Sequence, residues 1–91
     1  MDNKEEKRIE EMQKLLVVNR IRILKLLYQE DTCVCQMVEK LDMKHNLISH
    51  HLKTLIDLGY LTNNRNGQHI MYSLVKDKKM IVSKLLTIIN K

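Results

Sequence analysis

TCVCQMVEKLDMKHNLISHHLKTLIDLGYLTNNRNGQHIMYSL, residues 32–74, carries two amphipathic helices and a hairpin in close succession. A short helix, capped by Asp31 or Thr32 and ending at Leu41, sets Val34, Val38 and Leu41 on one face at the three-and-four spacing of a buried stripe. Asp42 follows, where a tight turn is wanted, and Asp is among the few residues besides Gly that accept a left-handed backbone. The next helix spans about Asn46 to Leu58, with Ile48, Leu52, Leu55 and Ile56 inward and Asn46, Ser49, His50 and Lys53 recurring on the opposite side. Gly59 is its stop. Beyond it, Leu61-Thr62 and Ile70–Leu74 flank Asn66-Gly67, the strongest short-range hairpin signal. Helix, short link (Asp42, Met43, Lys44, His45), helix and hairpin give the order helix-turn-helix (about 32–58) and wing (about 60–74).

Working outward, Ile9, Met12, Leu15 and Leu16 predict an amphipathic helix over about residues 5–18. Asn19 is placed to cap a second helix from Arg20 to Gln29, with Ile21, Leu24 and Leu27 as its stripe and Ile23 and Leu26 widening it. The last helix, about 77–90, aligns Ile81, Leu85, Ile88 and Ile89, with Val82 and Leu86 beside them. A terminal helix this apolar needs a partner, and pairing the first and last helices of two copies supplies one. The expected interface is Ile9, Met12, Leu16, Ile81, Leu85, Ile88 and Ile89. The fold class is therefore mainly α with a small β-hairpin: one winged helix-turn-helix domain over 1–91, about five helices, dimeric through the first and last.

With 91 residues there is little room for an enzyme cleft and its supporting shell, so a binding module is expected and an enzyme is not. Hydrophobic residues make up 44% and aromatics 3%, so the core is built from Leu, Ile, Val and Met. The net charge is +5, and between Lys44 and Lys79 six basic residues (Lys44, Lys53, Arg65, Lys76, Lys78, Lys79) face two acidic ones (Asp57, Asp77). Positive charge concentrated in one segment suits a polyanion. The N-terminal MDNKEEKRIEE has no apolar leader core, and the longest aliphatic run, Leu15–Val18, is too short for a membrane span. A cytoplasmic protein without a membrane partner is expected.

In a helix-turn-helix the N-terminal polar residues of the second helix meet base edges in the major groove. Those are Lys44, His45, Asn46, Ser49 and His50, with Lys53 placed for phosphate. Asn pairs with adenine through two hydrogen bonds, His or Lys donates to guanine, and Leu47 meets a thymine methyl. Arg65, near the wing tip, suits a minor groove or backbone. The expected partner is double-stranded DNA, as an inverted repeat matching the dimer.

Cys33 and Cys35 are the only cysteines. A structural disulfide between such neighbours closes a tiny loop and adds almost no stability, so reduced thiols kept for chemistry or metal binding are expected.

Asn19-Arg-Ile-Arg-Ile-Leu24, Cys33-Val-Cys35, Ile48-Ser-His-His-Leu52, Leu55-Ile-Asp-Leu-Gly-Tyr-Leu61, Arg65-Asn-Gly67 and Met71-Tyr-Ser-Leu74 together resemble the ArsR/SmtB family of metal- and metalloid-responsive repressors, over roughly residues 9–90. The resemblance implies a homodimeric repressor that leaves its operator when a metal or metalloid binds, with Cys33 and Cys35 at the family's thiolate site. Residues two apart on an ideal helix lie about 200° from each other, so the first turn is expected to unwind on binding. A helix N-terminus favours the thiolate that soft metals take.

Val38 stands where some arsenic sensors have a third cysteine, and the N-terminal arm lacks the cysteines that complete cadmium or lead sites. Two sulfurs fit As(III) or Sb(III) with a small-molecule thiol, or two-coordinate Cu(I), whereas Cd(II), Pb(II) or Zn(II) need further ligands. None is needed for folding. At the family's zinc site on the last helix, Asp77 is kept but Lys79 and Asn90 replace histidines, so no zinc is expected there. His50 and His51 are not assigned to metal; His51 is expected to pack or cap within its helix, and His69 to face solvent or phosphate. Alternatives are the same repressor switched by thiol oxidation or reactive sulfur, and a winged-helix protein-interaction module that never touches DNA. A thiol oxidoreductase ranks last, since its pair has two intervening residues in a strand-helix setting.

Overall fold

The computed structural model describes residues 3–90. Its order is α1 (Asn3–Leu15), α2 (Val18–Gln29), β1 (Thr32–Cys33), α3 (Val34–Leu41), α4 (His45–Asp57), β2 (Leu61–Asn66), β3 (His69–Leu74), a 3-10 turn at Lys76–Lys78 and α5 (Lys79–Ile89). Five helices and the wing match the sequence reading. The two-residue β1 adds a third strand: the sheet runs β1-β3-β2, antiparallel throughout, with Thr32 opposite Tyr72 and Cys33 opposite Met71.

Leu15, Ile23, Leu24, Met37, Ile48, Leu52, Leu55 and Val82 are fully buried and join all five helices in one core. On α3 the centre of the inner face is Met37, with Leu41 buried and Val34 and Val38 half-buried, because the face at helical spacing runs through 34, 37, 38 and 41. Asp42 adopts φ 52°, ψ 52°, the left-handed turn the sequence calls for, and Met43 after it tucks into the core. Arg22 on α2 donates from Nη2 to the Leu41 carbonyl at 2.5 Å, satisfying an acceptor that the end of α3 leaves open.

Three local expectations are corrected. Asn19 lies inside α2, not at its cap; α2 begins at Val18 after extended Val17, and the Asn19 Oδ1 accepts from Arg22 instead. α3 starts at Val34, because Thr32 and Cys33 are drawn into pairing with β3. In the wing, Asn66 pairs with His69, so the two-residue loop is Gly67-Gln68. Gly67 has φ +65°, and positive φ at the first loop position alone matches a type II′ turn, in which Gly is favoured there.

Among the described residues, no helix is long and apolar enough to cross a membrane.

Candidate functional site

Burying Ile48, His51, Leu52 and Leu55 fixes the rotation of α4 and leaves His45, Asn46, Leu47, Ser49, His50 and Lys53 exposed on the rest of its surface. Lys44 precedes the first turn, also exposed, and Arg65 is exposed on β2 opposite Ile70. Every residue expected to meet DNA is thus at the surface. The Ser49 hydroxyl lies 3.5 Å from the His45 Nδ1 one turn back.

His51 belongs to the other face, as expected. It is buried, and its Nδ1 accepts from the Arg20 Nε at 3.1 Å. That bond requires an unprotonated Nδ1, and three effects lower the pKa of the ring below its ordinary value: burial first, then the Arg20 guanidinium, then His50. Arg20 also donates to the Lys14 carbonyl, so one guanidinium ties the end of α1 to α4.

Cys33 and Cys35 are joined in a disulfide, which corrects the expectation of two reduced thiols. The reason is local. Cys33 ends β1 with φ −88° and ψ 165°, so its side chain does not follow helical geometry, and the two Cα atoms are 5.4 Å apart, within disulfide range. The expected unwinding falls with the same observation: Cys33 stands outside the helix, and both sulfurs meet without opening a turn of α3.

The structure also brings in His69, which sequence reasoning had set aside. A ring nitrogen of His69 and both sulfurs lie within 4.8 Å of one another, with Cys33 buried and Cys35 and His69 exposed. The missed signal was β1. With Cys33 opposite Met71, His69 is its diagonal neighbour on the same face of the sheet. This corner opens into a cavity of about 310 Å³ lined by Cys33, Cys35 and His69 together with His45 and Ser49 of α4. Two sulfurs and an imidazole form a donor set that fits a thiophilic ion once the sulfurs are reduced.

The apolar residues expected between subunits are exposed, with one exception. Ile9, Met12, Leu16, Ile81, Ile88 and Ile89 face outward, Ile88 being 69% exposed. Leu85 is half-buried against the chain's own core, because α5 turns Val82, Leu85 and Leu86 inward.

Residues 18–63 match the family of bacterial regulatory proteins called the arsR family. This chain belongs to that family. The Arsenical resistance operon repressor of Staphylococcus xylosus is 33% identical over 72 residues, covering 79% of this chain and 69% of the relative. The Cadmium resistance transcriptional regulatory protein CadC of Listeria innocua is 33% identical over 64 residues, covering 69% of this chain and 53% of that protein. In three dimensions this arsR-family chain superposes with a TM-score of 0.81 and 18% identity on Mb0332 of Mycobacterium bovis, described as a homodimeric winged helix-turn-helix DNA-binding domain, over 99% of this chain and 88% of the other. That likeness establishes the winged helix-turn-helix fold. Both of these relatives are named as transcriptional regulators, not enzymes.

Proposed function

We propose that this arsR-family chain is a sequence-specific repressor that holds an inverted-repeat operator as a homodimer and releases it when a thiophilic metal or metalloid binds reduced Cys33 and Cys35. The observation that carries the reading is the shared cavity: the cysteine pair and two outward residues of the recognition helix, His45 and Ser49, line one space. An ion held there biases the placement of α4 directly. Such a switch needs only that the loaded arrangement bind DNA more weakly than the empty one.

In this reading Asn46, Ser49, His45, His50 and Leu47 meet base edges, Lys44 and Lys53 meet phosphates, and Arg65 carries the wing to the backbone or minor groove. Dimerisation follows from the apolar surface that α1 and α5 leave open. One relative is named for arsenical resistance and another for cadmium resistance, so both metalloid and divalent ions enter the test.

The test is fluorescence anisotropy on inverted-repeat and random duplexes with reduced protein, with and without arsenite, antimonite, cadmium, lead, copper(I) and zinc. Tight binding to the repeat and release by one or more of these is expected. A Cys33→Ser, Cys35→Ser double variant should bind the repeat and ignore the ion; a normal response from it refutes the assignment, and no duplex affinity even at low salt favours a protein-interaction module.

The disulfide favours one second reading, a repressor switched by thiol oxidation. Closing the bond removes two protons and two electrons from the thiol pair, which an oxidant such as peroxide or reactive sulfur accepts. Dithiothreitol alone should then restore DNA binding, whereas a metallated repressor is restored by a chelator.

A further inference from the structure

We propose that His69 is the third protein ligand of the thiol site, and that the reduced site is built for a four-coordinate divalent ion of the zinc and cadmium type. This rests on reading Cys33 and Cys35 as the sensing pair and supplies the donor that the pair by itself lacks.

The three ligand atoms come from three elements: Cys33 from the end of β1, Cys35 from the first turn of α3, His69 from the first residue of β3. They converge because β1 pairs with β3, which sets His69 diagonally beside Cys33. Bonds of about 2.0–2.3 Å around a tetrahedral zinc put its ligand atoms roughly 3.5–3.8 Å apart. The observed cluster falls within 4.8 Å with the sulfurs bonded, so reduction lets the two sulfurs part to ligand spacing while the imidazole of exposed His69 has about an ångström to close. The cavity is open to solvent and wide enough, at about 310 Å³, for water or a small thiol to complete the fourth position.

The donor set also discriminates. Two thiolates and an imidazole suit Zn(II) or Cd(II), borderline and soft ions that accept mixed sulfur and nitrogen. Trivalent arsenic takes sulfur at all three positions, so arsenite gains nothing from His69. Two thiolates balance the charge of a divalent ion, so the loaded corner carries no added charge toward DNA. Its effect is geometric: the ion would clamp the tip of the wing, where β3 begins, to α3, beside the His45 and Ser49 end of α4.

Cobalt(II) is the probe, added to anaerobically reduced protein as a coloured stand-in for zinc. The wild-type chain should show thiolate-to-cobalt charge transfer and the intense ligand-field bands of a tetrahedral ion. His69→Ala removes an exposed side chain and should keep the fold, checked by unaltered thermal unfolding without metal. It should weaken cobalt binding at least about tenfold, since even losses in the outer shell of a metal site cost about 10–100-fold, and should shift the ligand-field bands. Equal affinity and equal spectra for wild type and His69→Ala would overturn the role of His69 while leaving the thiol pair intact. Absence of charge transfer from wild type would overturn the thiol site as well. Arsenite affinity should be the same in both proteins; if it falls as far as cobalt affinity, the divalent preference is wrong.

Discussion

Helices α1 and α4 are each thirteen residues long, yet α4 buries Ile48, His51, Leu52 and Leu55 whereas α1 buries Leu15 alone. α4 is held by its own chain. Its rotation is fixed from four points, so the opposite face has a defined direction, and a reading surface for bases needs that. α1 has no such hold: it is anchored at its last turn by Leu15 and the Arg20 bond to the Lys14 carbonyl, while Ile9 and Met12 stand in solvent. An isolated helix of this length is marginal in water, and most helical stability in proteins comes from packing an amphipathic face. The difference separates a helix finished within the subunit from one whose apolar face is left open, the face that the proposed dimer would cover.

The sharpest way to break that contrast is to cut into both helices. Leu52→Ala should cost about 2–5 kcal/mol in urea unfolding, the range for deleting a fully packed leucine. Met12→Ala, measured on dilute monomer, should stay within about 0.5 kcal/mol, as for surface positions. Comparable losses at the two sites would show that α1 is packed within the subunit after all.

Next comes the apolar surface. Ile88→Asp should leave monomer stability near wild type but weaken self-association by about 2 kcal/mol or more, the scale of an interface hot spot, which is roughly 30-fold in dissociation constant. Sedimentation velocity over a concentration series reads it, and an undisturbed dimer would move the interface elsewhere. Leu85→Asp is a poor substitute, since Leu85 packs on the chain's own core and the change would unfold as well as dissociate.

On the outward face of α4 the effects are smaller and differ in kind. Asn46→Ala should lose about 1–3 kcal/mol of discrimination between operator and altered operator, the worth of a good base contact. Arg65→Ala should weaken all duplexes alike and lower the salt slope by about 1. If Asn46→Ala also weakens every sequence equally, Asn46 touches backbone and the helix enters the groove in another orientation.

How far the sequence revealed all this follows the same division. The helices and the exposed face of α4 were legible because period and turn chemistry are local: Ile48, Leu52 and Leu55 repeat at helical steps, Asp42 takes the left-handed turn, and Gly67 makes the wing loop. The thiol corner was half legible. Cys33 and Cys35 announce themselves, but the placement of His69 beside them depends on a two-residue strand pairing across more than thirty positions, with no periodicity to betray it. Once β1 is overlooked, Cys33 is placed on the helix, the sulfurs are set apart, and unwinding is invoked to reunite them. The packing of Leu85 against the chain's own core was hidden for a related reason: on a helix apolar on most sides, spacing alone does not say which stripe faces home.

The smallest effect tests the link between the two helices. His51 accepts the Arg20 Nε–H at Nδ1, so in the folded protein its proton sits on Nε2, and a second proton at Nδ1 would oppose the guanidinium. Its folded pKa is lowered, by burial, by Arg20 and by His50 in that order. Below an unfolded value of about 6.5, the unfolded chain therefore binds the proton more readily than the folded one, and unfolding free energy falls as pH falls. The contribution is fully present above that pH and is lost downward through the lowered folded value. His51→Gln keeps an acceptor for Arg20 but has no proton to gain, so its stability should decline less steeply between pH 6.5 and 5 than that of the wild type. Matching slopes would mean that the proton is taken up elsewhere, and that the Arg20 tie between the end of α1 and the recognition helix survives acid.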